Sequence, residues 1–253
     1  MSKTPGYQSL DGSVVMVTGG ARRIGAALCR GMHDAGANVV IHCKDSTSEA
    51  ESLYESLESH RPNSASWLRA DLLDYAALPD LVRRAVGAFG RLDALVNNAS
   101  TFYPTPVGSI TEDDFEDLVG TNLKAPLFLS QAAAPYLSKH NGTIINLVDI
   151  HSRRPIRNHA VYCAAKAGLE ALTRSLAIDL APSIRVNAIA PGAILWPETG
   201  LDDSSRAEVI RRTPLGRAGD PGDIVACARY LIAGAGYVTG QTIAVDGGRG
   251  LGW

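Results

Sequence analysis

Tyr162 and Lys166 stand four residues apart. On a helix that spacing puts a phenol and an ammonium on one face, where the ammonium lowers the phenol's pKa from about 10. The pair makes a usable general acid. The same spacing arises by chance in purely structural helices, but here it follows an apolar run that ends in Val148-Asp149. Asn122, in the helical stretch before that run, is a candidate to hold a water or a backbone group that passes protons to Lys166; its alternative is a surface amide.

A second group lies near the N-terminus. The apolar run Val14-Val15-Met16-Val17 passes into Thr18-Gly19-Gly20-Ala21-Arg22-Arg23-Ile24-Gly25, after which helical character begins. A strand, a glycine turn and a helix N-terminus present free backbone N–H groups and the positive end of a helix dipole, which suit a dinucleotide pyrophosphate. Such turns also occur for structural reasons alone. Arg23 could add a bidentate grip on phosphate or on a bound ligand. Cofactor choice is expected at the end of the second strand, in His42-Cys43-Lys44-Asp45-Ser46. Lys44 and Ser46 favour the ribose phosphate of NADP, whereas Asp45 would serve NAD; NADPH is the preferred reading and NADH the lesser one.

These groups need a scaffold. Strand signals at residues 14–17, 38–42, 66–69, 94–96, 143–148, 185–190 and 242–245 alternate with helical stretches, the later ones near 75–89, 112–138, 160–180 and 221–233. Seven such strands predict an α/β fold, a doubly wound Rossmann-type domain with a seven-stranded parallel sheet covered by helices on both faces. One domain over 1–253 accounts for the length, with a polar arm at 1–12 and a substrate loop and small helix at 191–212.

Composition sets outer limits. Lys plus Arg total 24 against 26 Asp plus Glu, a net of −2 that gives no bulk reason to bind nucleic acid or an anionic membrane. The cysteines Cys29, Cys43, Cys163 and Cys227 fit neither metal spacing nor a compact disulfide framework, and the six histidines show no paired ligand spacing, so no metal site is expected. Without a long apolar run or a signal-like start, the expected location is the cytoplasm. The 25 glycines cluster in the turn at 19–25 and near Gly247, Gly248 and Gly250.

T-G-G-A-R-R-I-G at 18–25, N-N-A at 97–99, Asn122, the Tyr162/Lys166 pair and Pro191-Gly192 together resemble the short-chain dehydrogenase/reductase family over nearly the whole chain. The resemblance implies cofactor contacts from Gly19, Arg22, Arg23, Ile24, Lys44, Ser46, Asp71, Leu72, Asn98, Ala99, Tyr162, Lys166, Pro191 and Gly192. It implies catalytic roles for Asn122, Tyr162 and Lys166, and a homotetramer whose helices after Thr111 and Ala160 pack between subunits.

Two positions depart from the family pattern: Arg23 replaces the middle glycine of the turn, and Asp149 stands at the catalytic serine position. An ionised carboxylate there would repel a developing alkoxide, which disfavours simple ketone reduction. A carboxyl group can instead help protonate a ring nitrogen as a carbon–nitrogen double bond is reduced. Both departures, with the segment Asn98-Ala99-Ser100-Thr101-Phe102-Tyr103-Pro104-Thr105-Pro106, resemble the pteridine reductase branch.

That branch implies a small-molecule pterin substrate: Phe102 would stack on it, while Ser100 and Arg23 bond its polar edge, and Asp149 and Tyr162 serve the reacting atoms. The implied activity is NADPH-dependent reduction of dihydropterins of the dihydrobiopterin or dihydromonapterin type, with folates as further candidates. The alternatives are a short-chain carbonyl or hydroxyl dehydrogenase such as a 3-oxoacyl reductase, and a non-catalytic NADP-binding sensor.

Overall fold

A computed structural model of the chain describes residues 9–196 and 202–252. Most of the expected N-terminal arm (1–8), Pro197 and Gly200 of the substrate loop, and Trp253 lie outside the described residues. The strands are β1 Val14–Val17, β2 Asn38–Cys43, β3 Ala65–Arg69, β4 Ala94–Asn97, β5 Thr143–Leu147, β6 Arg185–Pro191 and β7 Thr242–Val245. They form one seven-stranded parallel sheet in the order β3-β2-β1-β4-β5-β6-β7. The helices are α1 Arg23–Asp34, α2 Thr47–His60, α3 Leu78–Phe89, α4 Glu112–Val119, α5 Ala125–Leu137, α6 Ala160–Asp179, α7 Asp203–Arg211 and α8 Pro221–Arg229.

β1 is apolar throughout, and its neighbours largely so, because both faces are covered. Val15, Val17, Val39 and Ile41 pack with Leu28 and Met32 of α1 and Ile224 of α8 on one face. Val14, Met16 and Val40 pack with Leu81 of α3 and Leu129 and Leu137 of α5 on the other. The core also carries a polar ladder. Asn97 Nδ2 donates to Asn146 Oδ1 at 2.8 Å, and Asn146 Nδ2 donates to Thr173 Oγ1 at 2.9 Å, joining neighbouring strands to α6 where a lone buried amide would be costly.

Strand order reverses between β1 and β4, leaving a crevice at the carboxyl ends of the strands, where open α/β sheets bind ligands. The turn after β1 fits there only with glycine at two places: Gly19 has φ 59°, and a Cβ on Gly25 would fall 2.0 Å from the Gly19 carbonyl oxygen.

The continuous helix expected over 112–138 is interrupted. A capping box of Thr111 and Asp114 starts α4, but Gly120–Lys124 is a π turn with Ala125 N–H bonded to Gly120 O. Pro126 explains the break: it has no N–H to give to the carbonyl of Asn122, four residues back. Likewise α8 ends at Arg229 and passes into a π turn over Tyr230–Gly234.

His42, at the end of β2, holds the glycine turn in place. Its Nδ1 accepts from Gly19 N–H and its Nε2 faces Ala70 O, each at 3.2 Å, which fixes a neutral ring with the proton on Nε2. Burial pushes its pKa down to about 4. The unfolded chain therefore takes up this proton first as pH falls. The contribution of His42 is complete above about pH 6.5 and is lost toward pH 4, a span of about 3 kcal/mol. Urea titrations of the wild type should show stability falling over that interval. His42→Gln, whose side-chain oxygen can still accept from Gly19, should show a shallower fall.

Candidate active site

Two adjoining compartments open along the crevice. The first, about 430 Å³, is lined by the glycine turn, Arg22, Arg23 and Ile24 on one side, by Asn98 and Ala99 on another, and by Lys44, Asp71 and Leu72 beyond β2 and β3. Thr18 ties the strand ends together: its hydroxyl accepts from Asn98 N–H at 2.9 Å and Ala99 N–H at 3.0 Å, while Asn98 Nδ2 returns a bond to Thr18 O at 2.8 Å. At the start of α1 no side chain caps the helix and no acidic residue occupies its first turn. Its amides and dipole are thus directed at the cleft without a competing anion, which suits the pyrophosphate of a dinucleotide.

The cations near β2 are partly engaged. Lys44 Nζ lies 2.8 Å from Asp71 Oδ2, an ion pair that raises the lysine's pKa through their hydrogen bond, and Arg22 sits 3.9 Å from Glu49. Ser46, expected at the cofactor, is the N-cap of α2 and does not line the cleft; Asp45 does not line it either. Four lining residues that the sequence reading left out are His42, Thr101, Asp117 and Thr121. His42 and Thr101 were signalled by proximity to a strand end and to the NNA segment, whereas Asp117 and Thr121 arrive from α4 and the π turn with no local signal.

The second compartment, about 260 Å³, gathers Ser100 and Phe102 with Asp149, Tyr162, Lys166, Pro191 and Gly192, and shares Arg23 with the first. Asp149 follows β5 and caps the short turn Ile150–Ser152, accepting from His151 N–H at 2.8 Å. Its other oxygen accepts from the Tyr162 hydroxyl, also at 2.8 Å. One turn along α6, Lys166 is 2% exposed, and its ammonium donates to Leu147 O, the last carbonyl of β5, at 2.9 Å.

The expected lowering of the Tyr162 pKa by Lys166 is not what this arrangement produces. Burial, reinforced by the charge and hydrogen bond of Asp149, drives the phenol well above its ordinary value, against a smaller opposing effect of Ser100. Lys166 Nζ lies 5.8 Å from the phenol ring centroid and points at Leu147 O, so its field is spent partly elsewhere. Burial in turn pushes Lys166 down to about 8, with Asp149 resisting. The phenol is thus held protonated, its hydroxyl donating a hydrogen bond to the carboxylate.

Asn122 is fully buried rather than a surface amide. Its Nδ2 donates to Thr101 O at 3.0 Å and Leu118 O at 2.9 Å, and its Oδ1 accepts from Ser100 Oγ at 2.6 Å. The side chain positions the 100–101 segment and does not bond Lys166. Phe102 is half exposed. One face stacks on His159, ring centroids 4.6 Å apart, and the ring meets Tyr162 edge-on at 4.8 Å. The sequence did not single out His159 as a site residue, because it joins Phe102 only through the pairing of Thr105 with His159.

Arg23 adopts φ 52° and reaches across the opening, donating to Leu195 O at 3.4 Å and Trp196 O at 3.3 Å. Behind Asp149, Arg153 is held by Glu170, leaving Arg154 to donate to Arg249 O at 3.3 Å. Among the described residues no group of three or more His, Cys, Asp or Glu could hold a metal ion, and no helix is long and apolar enough to cross a membrane.

Comparison with known proteins places this architecture. Residues 19–249 match the family model described as enoyl-(acyl carrier protein) reductase. An uncharacterized oxidoreductase of Mycobacterium tuberculosis is 40% identical over 245 residues, 94% of this chain and 92% of the relative. Pteridine reductase 1 of Leishmania tarentolae is 34% identical over 279 residues, 94% and 96% of the two chains. A crystal structure from Sinorhizobium meliloti 1021, described as a short-chain alcohol dehydrogenase, superposes with a TM-score of 0.90 at 33% identity, covering 95% of this chain and 97% of the other. Proteins of this kind bind NAD(P), and on the strength of the matched fold, cleft and sequence the chain belongs to the short-chain dehydrogenase/reductase family of oxidoreductases.

Proposed function

We propose that the protein is an NADPH-dependent reductase of dihydropterins, yielding tetrahydropterins, with the whole chain acting as one NADP-binding domain. The observation that carries this is the 2.8 Å hydrogen bond from Tyr162 to Asp149. A ketone reductase needs neutral or positive donors where an alkoxide forms, and a carboxylate there opposes that charge. Reduction of a carbon–nitrogen double bond instead ends with a proton on nitrogen, and a carboxyl group hydrogen-bonded to a phenol is suited to take part in delivering it. The likeness to pteridine reductase 1 of Leishmania tarentolae supports the same reading.

When bound, the nicotinamide supplies the hydride for the carbon of that double bond. On the protein side, the Gly19 turn, Ile24 and the first amides of α1 hold the pyrophosphate. Arg22 and Lys44 serve the ribose phosphate, with Asp71, Leu72, Asn98 and Ala99 around the adenosine half. Pro191, Gly192, Tyr162 and Lys166 border the nicotinamide. Phe102 and Ser100 orient the heterocycle, Arg23 holds its polar edge, and the hydrogen-bonded Tyr162 and Asp149 present one proton to the reacting nitrogen, which solvent restores to the pair after turnover. Asn122 fixes Ser100, and the Lys166 ammonium offsets negative charge on the pair. The enzyme would work as a cytoplasmic homotetramer, a reading supported by the half-exposed Phe115 on α4. The second reading, an alcohol or carbonyl dehydrogenase, draws on the Sinorhizobium meliloti structure.

A panel of dihydrobiopterin, dihydromonapterin, dihydrofolate and ketones, followed by NADPH oxidation, separates the two: turnover of pterins is expected, and turnover of ketones alone would overturn the proposal. Asp149→Ser should lower pterin kcat by roughly a hundredfold, as for loss of an acid–base group. Reversing the charge at the ribose phosphate, Lys44→Glu should reduce the preference for NADPH over NADH by about tenfold, read as the ratio of kcat/KM values. Because Lys166 titrates at about 8, kcat/KM should fall as pH rises through that value and the ammonium is lost. A profile flat to pH 10 would contradict this role.

A further inference from the structure

The C-terminal turn brings a second set of charges beside Ile150 and Arg154, in the segment that follows Asp149. Asp246 folds residues 246–250 back on themselves, accepting from Gly248 N–H at 2.8 Å and Gly250 N–H at 2.6 Å. The turn packs over the segment that follows Asp149. A Cβ on Gly250 would lie 3.9 Å from Ile150, one on Gly252 would lie 3.2 Å from the Arg154 guanidinium, and Arg154 donates to the carbonyl of Arg249. Together with the Arg249 N–H bond to Asp246 O at 3.2 Å, these contacts fix the backbone that carries Arg249 against the segment following Asp149.

Its guanidinium is half-buried, and among the described residues it makes neither a hydrogen bond nor an ion pair. Burial lowers its pKa, and the charges that reach it are Asp149, Arg212 and Asp246. None of these neutralises it. Asp149 already accepts from Tyr162 and His151, Asp246 from the two glycine amides, and Arg212 is a cation paired with Glu208. Arg154, alongside, also lacks a carboxylate partner among the described residues. A partly desolvated guanidinium without an anion is an unfavourable arrangement that a ligand carboxylate corrects, with two parallel hydrogen bonds available.

We propose that Arg249, with Arg154 beside it, recognises a carboxylate carried by the substrate, so that the site selects heterocycles with an anionic tail over those with a neutral one. This rests on the pterin reading above and names which pterins are preferred: folate-type acceptors with a carboxylate-bearing side chain.

The test pairs dihydrofolate, whose side chain is anionic, with dihydrobiopterin, whose side chain is neutral, in wild type, Arg249→Ala and Arg249→Lys. The ratio of kcat/KM for dihydrofolate to that for dihydrobiopterin should fall about tenfold or more in the alanine variant, the loss typical of a charge-assisted hydrogen bond, and less in the lysine variant. Equal effects on both substrates would overturn the proposal, since they would mean that Arg249 acts only through the field at Asp149. So would an unchanged ratio. If the wild type reduces no pterin, the functional reading fails, and calorimetric titration of the NADP-loaded protein with 4-aminobenzoylglutamate decides the inference. Binding that weakens about tenfold in Arg249→Ala sustains it; absence of binding, or equal binding, overturns it.

Discussion

The ammonium of Lys166 has lost nearly all its water, and the arrangement of the catalytic compartment follows from that burial. A buried cation is tolerated only where fixed acceptors and a counter-charge replace its hydration. The acceptor is the last carbonyl of β5, Leu147 O, which is available because the strand's ladder stops there. The counter-charge is Asp149, two residues further on and held in place by His151 N–H. Tyr162 then closes the circuit: one helical turn before Lys166, its hydroxyl donates a hydrogen bond to the same carboxylate. Moving any member of the set would leave a charge or a hydroxyl unpaired in a dry environment.

The remainder of the fold serves to hold this set rigid beside the dinucleotide cleft. β5 is pinned to β4 by Asn97 and Asn146 and to α6 by Thr173, so the strand that ends at Asp149 and the helix that carries Tyr162 share one polar spine. Thr18 and Asn98 do the same for the glycine turn. The π turn made necessary by Pro126 carries Asn122 inward, where its amide fixes the Ser100 segment. These side chains are polar and, apart from the partly buried Asn98, fully buried, and they tie separate segments together, which is how a buried polar network rigidifies a site.

The fold was readable because its signals are local. Apolar runs such as Val14–Val17 and turns rich in glycine report strands and their ends directly, and the strands match the reading to within one residue at either end. The chemistry-bearing positions Asp149, Tyr162 and Lys166 were legible from type and spacing, and the structure brings them together. What the sequence did not reveal depends on where side chains point. The spacing of Tyr162 and Lys166 could not show that the lysine turns to Leu147, or that the carboxylate dominates the phenol. His42 and His159 looked like isolated histidines because their partners, Gly19 and Phe102, are remote in sequence. The break after Val119 was marked only by Pro126, several residues beyond it. Ser46 lay close to Lys44 in sequence but falls at the N-cap position of α2, away from the cleft lining.

Arg23 sits in the left-handed backbone region, a conformation that costs a non-glycine residue roughly 1 kcal/mol. Its guanidinium spans the mouth of the cleft to Leu195 and Trp196. Backbone comfort and side-chain reach therefore pull this position in opposite directions. A library selected for endurance of heat would drift toward Arg23→Gly, while one selected to keep the bridge to Leu195 and Trp196 across the cleft would retain the arginine. The two outcomes diverge at a single codon in the middle of an otherwise ordinary glycine turn, so the residue there records which pressure has been the stronger.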